Sequence, residues 1–383
     1  MNEKMKILID TRLLSKGHIS GIEEYARFIT QNLLENDEKN TYQFFYSGMK
    51  KAPFPDEWKR KNTKVFEMNM PNKMLEASMR MFGLPRVVEE LGSDIVFSPH
   101  FNFLPISKGV KRVITFHDLS FIHFPEFYPL RKRIWHWQQD YKRQARNADA
   151  LIAVSEFTKQ DLVRTLGIEP QKIHVIHSGI NPWYKRLPES DKAKAQFIRE
   201  HGIVKPFILF AGTLEPRKNI SGIIKAFDAV KEDPFNRELQ LVIVGKRGWL
   251  CDTIFKDAKN AKWANDIIFW GEASYEDLRM LYNLTEAFIY PSFFEGFGFP
   301  PLEAEACGAP VITSNRSSLP EIMNDSALLV DPWKIEELIH AISLLLKNDT
   351  IKEDLRRRGF ENAKRFTWQN AASSLISIFD TLQ

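Results

Sequence analysis

The sequence predicts an α/β protein built from two doubly wound, Rossmann-like domains in tandem. Three observations lead there. Short apolar runs alternate with amphipathic helical patterns along the first half, as expected of a parallel sheet covered by helices. The alternation stops at a charged, irregular stretch, 181–204, and then starts again. In both halves the apolar runs end in polar or glycine-bearing loops, which is where open α/β sheets carry their sites.

Lys6–Asp10 (KILID) reads as the first buried strand. The loop SKGHISG follows, and Ile22, Tyr25, Ala26, Ile29 and Leu33 then share one helical face. Residues 94–99 and 112–118 are further strands, and 150–154 is another. Ser155 is a natural N-cap for a helix ending near Gly167, and 172–179 closes the half. After the restart, strands are expected at 207–212, 239–245, 266–271, 287–291, 309–314 and 327–332, with Ile220, Ile223, Ile224 and Phe227 lining a helix. The first domain is expected to span 1–184, joined by an amphipathic C-terminal helix at 367–383, and the second 185–366. The cleft between them, at the carboxyl ends of both sheets, is the default site.

The totals exclude several function classes. The 383 residues are ordinary for soluble globular domains, with 44% hydrophobic and 27% charged residues. Cys251 and Cys307 supply neither a disulfide framework nor a metal cluster, which suits a reducing, cytoplasmic compartment. The N-terminal MNEKMKILID has too short an apolar run for a signal peptide. No apolar run reaches the roughly 18 residues a membrane span needs. A net charge of +4 does not argue for a nucleic-acid partner.

The stretch SFFEGFGFPPLEAEACG, 292–308, holds the first chemical signal. It sets Glu295 and Glu303 around Gly296, Gly298, Pro300 and Pro301. It follows a strand, so its first half reads as a strand-to-helix turn. The prolines suit a first helical turn and Gly308 a C-cap. The glycines allow close approach of a ligand to the backbone. Glu303 is expected in the first turn, where N–H groups and the helix dipole attract an anion. Flanked by Glu295, this arrangement fits a ligand with an anion in its middle and hydroxyls at both ends, as in a nucleotide sugar. The plainer reading is a turn followed by a dipole-compensating glutamate.

GTLEPRKN, 212–219, adds a second signal on the same sheet edge. Arg217 and Lys218 are adjacent cations after a strand, suited to binding a diphosphate and stabilising it as a leaving group. Alone, such a pair is usually solvated charge.

These residues resemble glycosyltransferase family 4, retaining enzymes of the GT-B fold, and the closest likeness is to mannosyltransferase-like members. EGFGFPPLE matches the family's E-x7-E pattern and GTLEPRKN its G-x-x-x-x-R-K-N segment. RVITFHDLSF resembles its histidine-bearing loop, and SNRSSLPEI and FTWQNAA also match. The resemblance covers nearly the whole chain and implies two Rossmann-like domains facing each other across a cleft. It implies that Glu295 holds donor-sugar hydroxyls beside the backbone of Phe297 and Gly298. Glu303 would bond the ribose, the N–H of Leu302 a phosphate, and Arg217 and Lys218 the diphosphate. Gly212 and Gly245 would border the nucleotide. His117 would reach the donor sugar, its plain alternative being a strand-end histidine bonded to Asp118. The Gly21 loop would face the phosphates, although Ser20 stands where the family often has a second glycine.

In the family, transfer retains the anomeric configuration and the leaving phosphate takes the proton, so the protein supplies positioning and charge stabilisation. The chain has no Asp-x-Asp, so no metal and no cofactor are expected. The expected partners are a nucleotide sugar (GDP-mannose, alternatively a UDP-sugar) and a saccharide or lipid-linked saccharide acceptor in cell-surface polysaccharide synthesis, such as a lipopolysaccharide. A GT-B epimerase or a non-catalytic nucleotide-sugar binder are the rivals. The basic, aromatic stretch 130–146 is read as a helix with a solvated cationic face, the sharper reading being peripheral contact with the inner face of a membrane. KRKNTK, 59–64, is read as a solvated loop.

Overall fold

The computed structural model describes residues 4–16, 21–50, 54–188, 192–203 and 205–383. Two wholly parallel sheets carry it. The first contains β1 (Lys6–Asp10), β2 (Thr41–Ser47), β3 (Thr63–Met68), β4 (Ile95–Ser98), β5 (Lys111–Phe116), β6 (Ala150–Ala153) and β7 (Ile173–Val175). Their order is β3-β2-β1-β4-β5-β6-β7. The second contains β8 (Phe207–Ala211), β9 (Gln240–Val244), β10 (Ile267–Gly271), β11 (Ala287–Tyr290), β12 (Val311–Ser314) and β13 (Ala327–Val330), in the order β10-β9-β8-β11-β12-β13. Each sheet winds outward in two directions from its middle, so each is Rossmann-like and has one switch point, at β1/β4 and at β8/β11. Strands such as β8 (FILFA) and β11 (AFIY) are buried along their whole length, which explains why they read as continuous apolar runs.

The chain divides into two units. One holds Met1–Leu119, Arg133–Gly179 and Thr367–Gln383, the other Ser120–Lys132 and Ile180–Phe366. Residues 120–132 therefore pack with the second unit, not with the first-domain span 1–184 in which the sequence reading put them. The cause is aromatic. His123 stacks on Phe294 at 5.4 Å, Phe127 on Phe293 at 5.6 Å and Tyr128 on Trp249 at 5.6 Å. The Trp249 indole N–H also donates to the Phe127 carbonyl at 2.6 Å.

In the first unit, the C-terminal helix Trp368–Leu382 packs on the helix Gly21–Asn36. Trp368 lies 5.7 Å from the Tyr25 ring and stacks on Phe28 at 5.5 Å. A Cβ on Gly179 would sit 2.2 Å from the Trp368 backbone nitrogen, so this docking demands a glycine there.

Four sequence readings change. TYQFFYS and TKVFEM are strands β2 and β3; TYQFFYS mixes polar and apolar residues yet is buried on both faces. Thr63 and Lys64 of the supposed solvated loop begin the edge strand β3, which suits exposed polar side chains. The irregular stretch 181–204 contains the helix Lys192–His201. The single basic helix at 130–146 is two, Leu130–Gln138 and Tyr141–Asn147, broken at Asp140 with φ 50°. No helix among the described residues is long and apolar enough to cross a membrane.

Candidate active site

In the second unit the loops after β8 and β11 meet at the switch point, because these two strands are hydrogen-bonded neighbours. The loops also clasp directly: the Phe293 N–H donates to the Arg217 carbonyl at 2.9 Å, and the Ser292 Oγ lies 3.0 Å from the same carbonyl. Glu295 is thereby brought onto Arg217 and Lys218. Its Oε2 lies 2.9 Å from Arg217 Nη1, and its Oε1 accepts from Lys218 Nζ and from Ser292 Oγ, both at 2.6 Å. Arg217 also donates to Glu215 Oε1 at 2.7 Å, and Lys218 to the Tyr290 hydroxyl at 2.6 Å. Two cations and two carboxylates so form one buried, charge-balanced cluster.

The electrostatics follow from that geometry. Burial pushes the Glu295 carboxyl up, but Arg217 and Lys218 outweigh it and hold it at about 2. Burial and the neighbouring Arg217 push the Lys218 amine down, against the pull of Glu295 and Glu215. The cations retain only narrow access, 13% for the Arg217 side chain and 9% for Lys218.

Glu303 lies in the helix Phe299–Cys307, buried, and accepts from the Tyr282 hydroxyl at 3.1 Å. The helix begins at Phe299, so Glu303 is its fifth residue and not in the first turn as expected; a dipole-compensating role is thereby removed. Pro300 and Pro301 lack N–H groups, which leaves the donors of Gly298, Phe299 and Leu302 to serve this end. Gly298 caps the helix at φ 105°, and a Cβ there would press on Leu319 Cδ2 at 2.7 Å. Phe297 is buried against Phe299 and Phe366, and its carbonyl accepts from Ser318 Oγ at 3.1 Å. Leu302 is fully buried.

Gly212 and Gly245 end adjacent strands. A Cβ on Gly245 would lie 1.8 Å from the Gly212 carbonyl oxygen, so close backbone approach alone requires that glycine.

The remaining residues belong to the first unit. His117 follows β5. Its Nε2–H donates to the Pro99 carbonyl at 2.8 Å and its ring meets Tyr25 edge-on at 4.8 Å. Burial pushes its pKa down, although the Pro99 bond and Asp118 pull upward. The neutral ring therefore leaves Nδ1 as an acceptor. Gly21 is the first residue of its helix, while Ser20 lies outside the described residues.

Sequence reasoning missed Glu215, Tyr290, Ser292 and Tyr282. Glu215 and Ser292 stand two and three positions from the residues they serve, a spacing that hints at them; the tyrosines give no local signal. It also missed a buried ion pair at the other switch point. Arg12 Nη2 and Nε bond Asp10 at 2.6 and 2.8 Å, and His100 Nε2 lies 3.9 Å from Asp10. Among the described residues no group of three or more His, Cys, Asp and Glu is arranged to hold a metal ion.

Comparison with known proteins places this geometry in a family. Residues 191–366 match the model of the glycosyl transferases group 1, and 19–184 that of glycosyltransferase family 4. The chain is 31% identical to the O-antigen chain mannosyltransferase B of Escherichia coli, over 75% of its own length and 74% of that protein's. It is 26% identical to the O-antigen chain mannosyltransferase RfbU of Salmonella typhimurium, over 76% of each. The Anabaena protein HepE, solved with UDP and glucose, superposes with a TM-score of 0.75 at 18% identity, covering 98% of this chain and all of that one.

Proposed function

The chain belongs to the glycosyltransferases of these two families and has their GT-B fold, and from that premise we propose that it transfers mannose from GDP-mannose to a hydroxyl of a saccharide or lipid-linked saccharide acceptor in O-antigen or related polysaccharide synthesis. The observation that carries this reading is the likeness to O-antigen mannosyltransferases along most of the chain.

The chemistry proposed uses the clustered residues. The leaving diphosphate shares the charges of Arg217 and Lys218, which Glu215 and Glu295 hold in place beforehand, so little reorganisation accompanies bond cleavage. Glu295, kept ionised, accepts hydroxyls of the donor sugar, and Glu303 accepts those of the ribose. His117, held neutral by burial, keeps Nδ1 as an acceptor for a sugar hydroxyl. The acceptor hydroxyl attacks on the face the diphosphate leaves, a phosphate oxygen takes its proton, and configuration is retained. No metal and no cofactor take part. The protein acts in the cytoplasm, peripherally at the inner face of the membrane where a lipid-linked acceptor is met.

The test is donor selection with the purified chain. Thermal shift and radiolabelled transfer are measured against GDP-mannose, UDP-glucose and UDP-galactose, with and without EDTA, and the product anomer is read by NMR. Stabilisation and α-product from GDP-mannose alone, unaffected by EDTA, support the reading. Preference for a UDP-sugar replaces the donor assignment, a β-product overturns retention, and loss of activity in EDTA overturns metal independence.

A further inference from the structure

The first unit carries a cavity of about 470 Å³ that the proposed transfer does not use. It lies between the loop joining β4 to β5 and the helix Tyr141–Asn147. Its position is set by the sheet. Lys111 and Arg112 open β5, and Asp149 immediately precedes β6, so the cavity sits at the amino edge. His117 follows the opposite end of β5, and a rise of about 3.3 Å per residue puts the two ends roughly 16 Å apart. The switch-point residues Asp10, Arg12 and His100 belong to the carboxyl edge, and Arg12 touches the cavity's wall at the Phe103 carbonyl.

Arg112 is the buried element of this cavity, with 9% of its surface exposed. Its Nη2 donates to Gln144 Oε1, a neutral acceptor, and its backbone N–H donates to Asp149 Oδ2 at 2.9 Å. Its Nε is buried with no acceptor. Asp149 Oδ1 is taken by Lys111 at 3.1 Å. Among the described residues no carboxylate is in ion-pair contact with the Arg112 guanidinium, and burial lowers its pKa to about 10 against the longer-range pull of Asp10. A buried cation without an anion is costly, and a bound anion would remove that cost.

The lining specifies what kind of anion. With Lys111 and Asp149 paired, the charged side chains left on the lining are Lys108, Arg112 and Arg143 against Asp140; Asp10 also attracts Arg112, and Glu89 is held by Ser107 at the margin. Three cationic donors on one wall suit a phosphate, whose oxygens can accept from all of them. Phe103, Leu104, Ile106 and Val110 supply an apolar wall for an organic body. The volume lies within the span of about 300–1,000 Å³ typical of small-molecule sites.

We propose that this cavity binds a small organic phosphate, its phosphate on Arg112, Arg143 and Lys108 and its body against Phe103, Leu104 and Ile106, as a second site separate from the transfer chemistry.

Isothermal titration calorimetry of the full chain with phenyl phosphate, in saturating GDP, tests this. The variants are Arg112→Gln, Arg143→Ala and Lys108→Ala, with benzoate as the carboxylate counterpart. Expected are one site in the parent, loss of measurable binding in Arg112→Gln, and at least ten-fold weaker binding in Arg143→Ala. Because Arg143 and Lys108 are exposed, those two variants remain informative should Arg112→Gln fail to fold. Absence of binding, affinity unchanged in Arg143→Ala and Lys108→Ala, or benzoate binding as tightly as phenyl phosphate overturns the proposal.

Discussion

At the switch point of the first sheet, Asp10 and Arg12 face each other with side-chain exposures of 0% and 2%. Arg12 directs Nε and Nη2 to Asp10, and Nη2 also reaches the Phe103 carbonyl at 3.0 Å. At the switch point of the second sheet, two cations share Glu295 and one of them also holds Glu215, and both keep a margin of solvent access. The topological position is the same. The first network is closed and spends its donors internally, which suits a rivet between β1 and the loop after β4. The second has an extra cation and an accessible rim, which suits exchanging part of its internal pairing for an incoming anion. Both networks are charge-balanced, so position at a switch point does not by itself make a site; what differs is that the second keeps its cations at an accessible rim.

That contrast can be broken first at the rivet. Asp10→Ala leaves Arg12 buried without its anion, and about 3–5 kcal/mol of stability is expected to be lost. Denaturant unfolding measures it, and a loss below about 1 kcal/mol would remove the structural role assigned to the pair. At the second switch point the effect should fall on turnover. Arg217→Met or Lys218→Met is expected to cut transfer by about 10²–10³, roughly 2.7–4 kcal/mol of transition-state stabilisation. A fall in stability with unchanged kcat would make this cluster a rivet too.

The pH dependence separates paired from unpaired carboxylates. The Glu295 carboxyl, held at about 2, contributes stability above its unfolded value of 4.5 and loses it as pH falls toward 2, so it adds no slope near neutrality. Glu305, in the same helix as Glu303, is the opposite case. Burial pushes it up to about 8, against hydrogen bonds from Ser326 and Asn362. Ser326 Oγ also lies against the Met323 carbonyl and has one hydrogen for two acceptors, which favours a protonated Glu305 donating to it. The unfolded chain releases this proton above 4.5 while the folded one keeps it. Stability should therefore fall as pH rises toward 8, by up to about 1.4 kcal/mol per unit. Glu305→Gln should flatten that slope in thermal unfolding from pH 6 to 8, and an unchanged slope would refute it.

The smallest effect expected is at Tyr282→Phe, which deletes the donor to Glu303. A loss of about 1 kcal/mol is expected, seen as a several-fold rise in donor KM with little change in kcat. A change confined to kcat would separate Glu303 from ground-state binding of the donor.

Much of the fold was legible because parallel strands buried on both faces, such as FILFA and AFIY, announce themselves as apolar runs. β2 and β3 were not, since TYQFFYS interleaves polar residues and TKVFEM is an exposed edge. The prolines do stand in the first turn, as read, but the helix begins ahead of them at Phe299, so Glu303 falls just past that turn. The candidate site was legible as two motifs; its supports Tyr282 and Tyr290 were not, because they join it only through packing.

By itself the sequence determined the strand–helix alternation and the carboxylates and cations at strand ends. Apolar periodicity and backbone sterics are local, so they can be read along the chain. The tertiary structure alone decided that Glu295 answers Lys218, 77 residues away, and that Arg112 is buried with its Nε unpartnered. Charge pairing depends on which strands become neighbours and on which groups lose their water. Neither is a property of any short stretch of sequence.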